Sequence, residues 1–231
     1  MSHWNMQAIG RIESCYKEKF AIPRQPGLTP SAEAILHLLP PYDTPDAVRE
    51  LAQFSHVWLV FVFHATAGQG WRPTVRPPKL GGNQRVGVFA TRSTFRPNPI
   101  GLSVARLERI ETDNGVRLHL AGADLLDGTP ILDIKPYLAY ADALPYASNG
   151  YADDGGQPLP VRFSAEADAQ LLALQARHPR LRSLIAEVLA QDPRPGYADD
   201  PTRRYGMALY DLNILWCCDA AGALVISILP A

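Results

Sequence analysis

Proline interrupts this chain at 21 of its 231 positions, about twice ordinary usage. Each ring fixes φ, removes a backbone donor and breaks the interior of a helix. A chain punctuated this way folds into short strands joined by stiffened loops, with little room for long helices. Hydrophobic residues, at 47%, supply enough core for one large domain or for a large domain with a small companion.

Residues 6–14 alternate as a first strand, and residues 17–30 form an extended, turned loop around Pro23, Pro26, Gly27 and Pro30. Residues 34–39 read as a strand. Thr44 and Pro45 mark the start of a short helix ending near Phe54. Residues 56–63, HVWLVFVF, are β-branched and aromatic and predict a central strand buried on both faces. A Gly-, Pro- and Arg-rich loop runs over 64–84, a short strand over 85–90, and loop again over 91–101. Strands over 102–110 and 116–121 turn at Asp113, Asn114 and Gly115. Asp127-Gly128 is a further turn, before a short strand over 131–134. Residues 139–158 read as a linker. Beyond it, Ser164 caps a helix to Arg177, His178-Pro179 opens another to about Gln191, and strands follow over 205–216 and 224–229. The chain therefore reads as residues 1–155, a mostly antiparallel barrel-like sheet, and 156–231, a small α+β domain.

Charge is segregated. From Leu51 to Leu107 there is no Asp or Glu, while Arg72, Arg76, Lys79, Arg85, Arg92, Arg96 and Arg106 give +7; the rest of the chain carries −8. A local anion site explains this better than a general basic face. Six of the seven cations are arginines, whose planar fork matches phosphate or carboxylate at two points. Arg96 and Asn98 each precede a proline, which holds both extended on their loop and pre-organises them for contact. His64 stands where the central strand emerges. Asp133 interrupts an apolar strand and needs a partner, for which an arginine of the basic segment is the expectation. The three cysteines, Cys15, Cys217 and Cys218, give no disulfide framework and point to a reducing compartment. The histidines are scattered and no CxxC is present, so no metal site is expected. No GxGxxG follows a strand, and Walker A, GxSxG and HExxH are absent.

Four segments are too polar and constrained for filler: residues 23–27, residues 63–64 with the WRPTVRPPKLGGN loop after them, residues 90–101, and DLLDGTP through DIKPY. The stretches RPPKLGGNQRVGVFATRSTFRPNPIGLSVARL, KFAIPRQPGL, FSHVWLVFVFH and DLLDGTPILDIKPYL together resemble the TsaA-like, or VirR, family. The likeness is fullest to its bacterial tRNA methyltransferases and extends to the C-terminal QDPRPGY and YGMALYDLNILW. The resemblance implies a mainly β N-terminal domain, a six- or seven-stranded barrel unlike Rossmann methyltransferases, with a small α+β C-terminal domain. It implies S-adenosylmethionine as cofactor and a homodimer. The implied substrate is threonylcarbamoyladenosine beside the anticodon of threonine tRNA, methylated on the exocyclic nitrogen. Carried over, the cofactor positions are Pro23, Arg24, Gln25, His64, Ala65, Arg92, Leu102, Asp124, Leu125, Leu126 and Asp127. Ala65 departs from the polar residue expected after the histidine.

Methyl transfer from a sulfonium is an in-line displacement that needs orientation and a matched electrostatic site, not a covalent nucleophile. The urea-like nitrogen requires a base or polarising donor, for which Asp133 and Tyr137 are the candidates, with Arg92 and Arg96 near the reaction centre. Arg72, Arg76, Lys79, Arg85, Arg96 and Asn98 are expected against tRNA, the C-terminal domain gripping tRNA or supporting the dimer. No apolar run is long enough for a membrane span and no signal peptide is evident, so a cytoplasmic protein is expected. A non-catalytic S-adenosylmethionine-binding regulator and a small-molecule methyltransferase are the competing readings; the acid-free segment favours RNA.

Overall fold

The computed structural model describes residues 4–77, 80, 84–152, 157–194, 200 and 203–231. They divide into two compact units. One takes in Met1–Glu13, Ile35–Leu120 and Gly128–Gly155; the other Ser14–Ala34, Ala121–Asp127 and Gly156–Ala231.

The first unit is built on a closed barrel of six strands. These are β1 (Gly10–Ser14), β2 (Glu33–Leu38), β3 (His56–Val62), β6 (Ile100–Glu111), β7 (Arg117–Ala121) and β8 (Pro130–Pro136), paired in the order β1-β2-β7-β6-β3-β8. A two-stranded ribbon of β4 (Thr74–Val75) and β5 (Val86–Gly87) stands beside it in sequence. Period-two alternation places Val57, Leu59 and Phe61 of β3 inside, with Leu36, Leu118 and Ile131. The expectation of two buried faces for β3 is corrected. A barrel has one interior, and the outward Trp58, Val60 and Val62 are only half-buried. Gly101 lies opposite Phe61 in the register, and a Cβ there would collide with the Phe61 ring. The β6–β7 reversal uses left-handed Asn114 (φ 60) and Gly115 (φ 90), as the Asn-Gly pair predicts.

Two expectations fail locally, and one strand carries an irregularity. The helix expected over 45–54 is two 3-10 turns, Pro45–Val48 and Leu51–Gln53, separated by Glu50 at φ 66. Thr44 does cap the first, accepting from Ala47 N. The strand expected over 85–90 shrinks to β5, after which Val88–Ala90 turns as 3-10. In β8, Asp133 pairs with Val60 but Ile131 with Phe61, so Leu132 is an extra residue, a β-bulge.

In the second unit, β10 (Arg204–Leu209), β11 (Leu212–Asp219) and β12 (Gly222–Pro230) form an antiparallel meander, and β9 (Val161–Phe163) adds parallel to β12. The single strand expected over 205–216 is two, reversed at Tyr210 (φ 56). Besides the one-turn α1 (Ala139–Asp142) of the first unit, the described residues form two α-helices, α2 (Ala165–Leu174) and α3 (Leu181–Ala190). Ser164 caps α2 as expected, its hydroxyl accepting from Ala167 N at 3.0 Å. Leu181, Leu184, Ile185, Val188 and Leu189 of α3 are buried in one core with Trp216, Met207, Ile214 and Tyr16. No helix among the described residues is long and apolar enough to cross a membrane.

Candidate functional site

The acid-free segment folds into a cleft. Pairing of Thr74 with Gly87 and Val75 with Val86 brings its two halves together, and Arg72 N donates to Phe95 O at 3.2 Å. The resulting cleft of about 510 Å³ is lined by Arg72, Arg76, Arg85, Thr74, Ser93 and Phe95, with Pro73 and Val75. Arg72 lies over the Phe95 ring, 4.5 Å from its centroid. Arg76 and Arg85 are exposed, and neither has an acidic partner among the described residues. With no carboxylate in the lining among the described residues, three guanidinium groups focus a positive potential there. Trp71 and Phe89 nearby are large, exposed aromatics. The expected tRNA residue Lys79 lies outside the described residues.

Arg96 has a different job from its neighbours. Its Nη1 donates to the carbonyls of Val88 (3.2 Å) and Thr91 (2.7 Å), and its guanidinium lies over Phe89. It staples the turn at the end of the cleft. Small side-chain turns stiffen the same loop: Ser93 N donates to Thr91 Oγ1 and Phe95 N to Ser93 Oγ. Arg92 and Asn98 are exposed on this loop.

At the exit of β3, His64 and Ala65 are exposed rather than buried. His64 Nδ1 lies 3.5 Å from Thr129 Oγ1, and Phe63 N donates to Pro99 O, which sets the histidine beside the Arg96–Ile100 loop. Leu102, Val60 and Asp133 form one row across β6, β3 and β8. Inward-facing Phe61 and Leu59 flank Val60 along β3, so the row faces outward. The structure thus brings an expected cofactor residue, Leu102, near an expected catalytic one, Asp133, two strand spacings or about 10 Å away.

Asp133 does not use an arginine. Its Oδ2 pairs with Lys135 at 2.8 Å, and its Oδ1 accepts from Ile134 N. The bulge at Leu132 is the reason, because it turns Asp133 outward beside Lys135, where no buried charge needs rescue. Tyr137 stands elsewhere. Its N donates to His56 O, and its ring packs 5.8 Å from Trp58, roughly 13 Å along β8 from Asp133 and at the end of β3 opposite His64.

The other expected cofactor residues belong to the second unit. Segments 23–27 and 122–127 are laced together: Gly27 N donates to Gly122 O, and Gly122 N to Ala32 O, both at 2.9 Å. Gly27 (φ 78) and Gly122 (φ 73) are left-handed, a backbone conformation that any other side chain would strain. Arg24 is exposed, Gln25, Asp124 and Leu126 are half-buried, and the Pro23 and Leu125 side chains are in the core. Asp127 is committed to structure. Its Oδ1 accepts from Ser14 N at 2.8 Å and its Oδ2 pairs with Lys17 at 2.9 Å. Burial raises the Tyr16 phenol, which bonds Thr29 Oγ1 at 2.8 Å, and pushes the Cys15 thiol up to about 12, so neither is a nucleophile at neutral pH.

Sequence reasoning missed Thr74, Ser93 and Phe95 as cleft walls. Phe95, an aromatic between Thr94 and Arg96 in a polar loop, was the available signal.

Two family models match the chain: the tRNA-methyltransferase O N-terminal domain over residues 11–143 and the TrmO C-terminal domain over residues 156–231. The chain is 53% identical over 234 residues to the tRNA (adenine(37)-N6)-methyltransferase of Escherichia coli K12, covering 100% of both. It is 52% identical to a Pseudomonas aeruginosa protein named putative S-adenosylmethionine-dependent methyltransferase RcsF, covering 94% of this chain and 93% of that one. A crystal structure of TrmO from Pseudomonas aeruginosa matches with a TM-score of 0.85 and 45% identity, covering 100% of this chain and 99% of that chain.

Proposed function

Because the chain belongs to the tRNA-methyltransferase O family, we propose that it methylates the exocyclic N6 of an adenosine in tRNA with S-adenosylmethionine as donor. The observation that carries this reading beyond family membership is the carboxylate-free cleft of Arg72, Arg76 and Arg85, whose charge and stacked Phe95 suit a phosphate backbone with unstacked bases. The acceptor is threonylcarbamoyladenosine next to the anticodon of threonine tRNA, whose free carboxylate suits a two-point contact with an arginine.

The residues present fit the donor in chemical kind. Gln25 and Asp124 are half-buried polar groups on segments joined by backbone hydrogen bonds at Gly27 and Gly122, and exposed Arg24 offers a guanidinium to a carboxylate. His64, Ala65, Arg92 and Leu102, the other expected donor positions, belong to the first unit, and Leu125 contributes only its backbone because its side chain is in the core. Bound there, the donor supplies an electrophilic methyl on sulfur. The protein's own part is orientation. The cleft arginines hold the RNA backbone, and the stiffened 91–96 loop fixes its wall. Asp133, tied to Lys135, is a hydrogen-bond acceptor that orients and polarises an N–H rather than a strong base. Tyr137, a full strand-half away, is the weaker of the two candidates. A homodimer accords with Tyr140, Leu144 and Tyr146, which are 89%, 74% and 99% exposed in the segment after β8. Residues 156–231 would extend the grip on tRNA or support that dimer.

The test is incubation with labelled S-adenosylmethionine and two tRNA preparations, with and without threonylcarbamoyladenosine, followed by nucleoside mass spectrometry. Label only on the modified adenosine is expected. Label on unmodified tRNA overturns the acceptor assignment, and label on neither overturns the enzyme reading.

A further inference from the structure

Helix α3 reaches the loop expected to hold the methyl donor chiefly through the Glu187 carboxylate. Ser31 donates its backbone N–H to Glu187 Oε2 at 2.8 Å and its hydroxyl to Glu187 Oε1 at 2.7 Å. One turn further along, Gln191 Nε2 donates to Leu28 O at 3.3 Å and to Glu187 O at 3.0 Å. These contacts grip residues 28–31, directly after Pro23–Gly27. On its other side the same segment is held by Thr29, fully buried against Tyr16, and by Ala32 O, which accepts from Gly122 N.

Two-point, charge-assisted bonding fixes direction as well as distance. It is as rigid as the element that carries it, and α3 is set in the core by Leu184, Ile185, Val188 and Leu189. Asp192, just past the helix end, is held to Arg194 at 2.7 Å. A domain that served only to grip RNA or to dimerise would not need to hold this loop at two places.

We propose that α3 sets the geometry of the donor loop, with Glu187 a positioning residue for S-adenosylmethionine binding. The inference rests on the reading of residues 23–25 as donor-binding. It makes the C-terminal part of the chain a structural component of the donor site.

The experiment measures S-adenosylmethionine affinity, tRNA affinity and steady-state constants on the full chain for Glu187→Gln, Ser31→Ala and, on the loop itself, Gln25→Ala. Glu187→Gln keeps the side-chain shape and removes the charge; Ser31→Ala removes one of the two bonds. For both, the donor Kd and KM should rise about three- to tenfold, with kcat at saturating donor and donor-free tRNA affinity within about twofold of the parent. Glu187→Asp should weaken donor binding less than Glu187→Gln, because it keeps the charge. Unchanged donor affinity in Glu187→Gln and Ser31→Ala, with affinity lost in Gln25→Ala, overturns the positioning role and leaves the loop reading standing. Unchanged donor affinity in all three overturns both. Loss of donor and tRNA affinity together in Glu187→Gln and Ser31→Ala assigns the pair to general stability and also overturns the proposal.

Discussion

Arg72, Arg76 and Arg85 line a cleft without a carboxylate among the described residues, whereas Arg106, Arg109 and Arg117, on β6 and β7 of the same unit, each lie against a glutamate. Arg106 meets Glu108 at 2.7 Å, and Arg109 and Arg117 both meet Glu111 at 2.9 Å. The two sets are alike in residue type, and all but half-buried Arg117 are exposed. What separates them is the nearness of an acid: residues 51–107 hold none, so Arg72, Arg76 and Arg85 have none close in sequence, while Arg106, Arg109 and Arg117 stand within a few residues of Glu108 or Glu111. Paired guanidinium groups have their field cancelled nearby and are screened in salt. Unpaired ones keep a potential that a polyanion can use. Arginine count is therefore a poor guide to nucleic-acid binding, and arginine without a neighbouring acid a better one.

The sharpest way to break this contrast is to neutralise each set. Changing Arg72, Arg76 and Arg85 together to Gln should weaken tRNA binding by about 30- to 100-fold near 0.1 M salt and flatten the log–log salt dependence by about two. The same change at Arg106, Arg109 and Arg117 should leave both within about twofold. Filter binding over a salt series reads the two outcomes, and equal losses would erase the distinction.

Arg96 tests whether a cleft-side arginine can belong to neither set. Arg96→Ala removes two charge-assisted bonds to carbonyls and should cost about 2 kcal/mol in urea unfolding, with the salt slope unchanged. A reduced slope without lost stability would return Arg96 to the RNA-binding group. Smaller effects are expected on the outer row of the barrel. Asp133→Asn should slow single-turnover methyl transfer about tenfold and Tyr137→Phe less than twofold; the opposite ranking would move the acceptor site to the His56 end of β3.

The smallest effect belongs to the paired set. Glu111 is held at about 2 by Arg109 first, then Arg117 and His119. Since the folded value is depressed from 4.5, any contribution of this network to stability is present above the unfolded value and is lost as pH falls through about 2. A carboxyl titration by NMR should place Glu111 near that value, and Arg109→Gln should raise it, without altering tRNA affinity.

Local chemistry was legible in the sequence. The Ser164 cap, the Asn114-Gly115 turn and the β3 strand rest on a few adjacent residues whose propensities agree. The charge segregation was also legible, because it concerns residue type and not position. What escaped was set by distant partners. Thr74, Ser93 and Phe95 meet only because β4 pairs with β5. Asp127 reads as a candidate ligand until Ser14 and Lys17, over a hundred residues earlier, engage both its oxygens. The Tyr210 reversal carries no Gly or Asn to announce it.

Leu132 gives β8 an odd residue, and an odd residue is one that the register can lose. Ile131 and Ile134 both serve the interior although three positions apart. Replacing Leu132 by another side chain alters one contact. Removing it would restore strict alternation with Asp133 still outward opposite Val60 and Ile134 still inward opposite Leu59, whereas removing Ile134 or Lys135 would change the face of the side chains around the bulge. Along this stretch, a single-residue deletion should therefore be tolerated better at Leu132 than at Ile134 or Lys135, a signature that a deletion library would reveal.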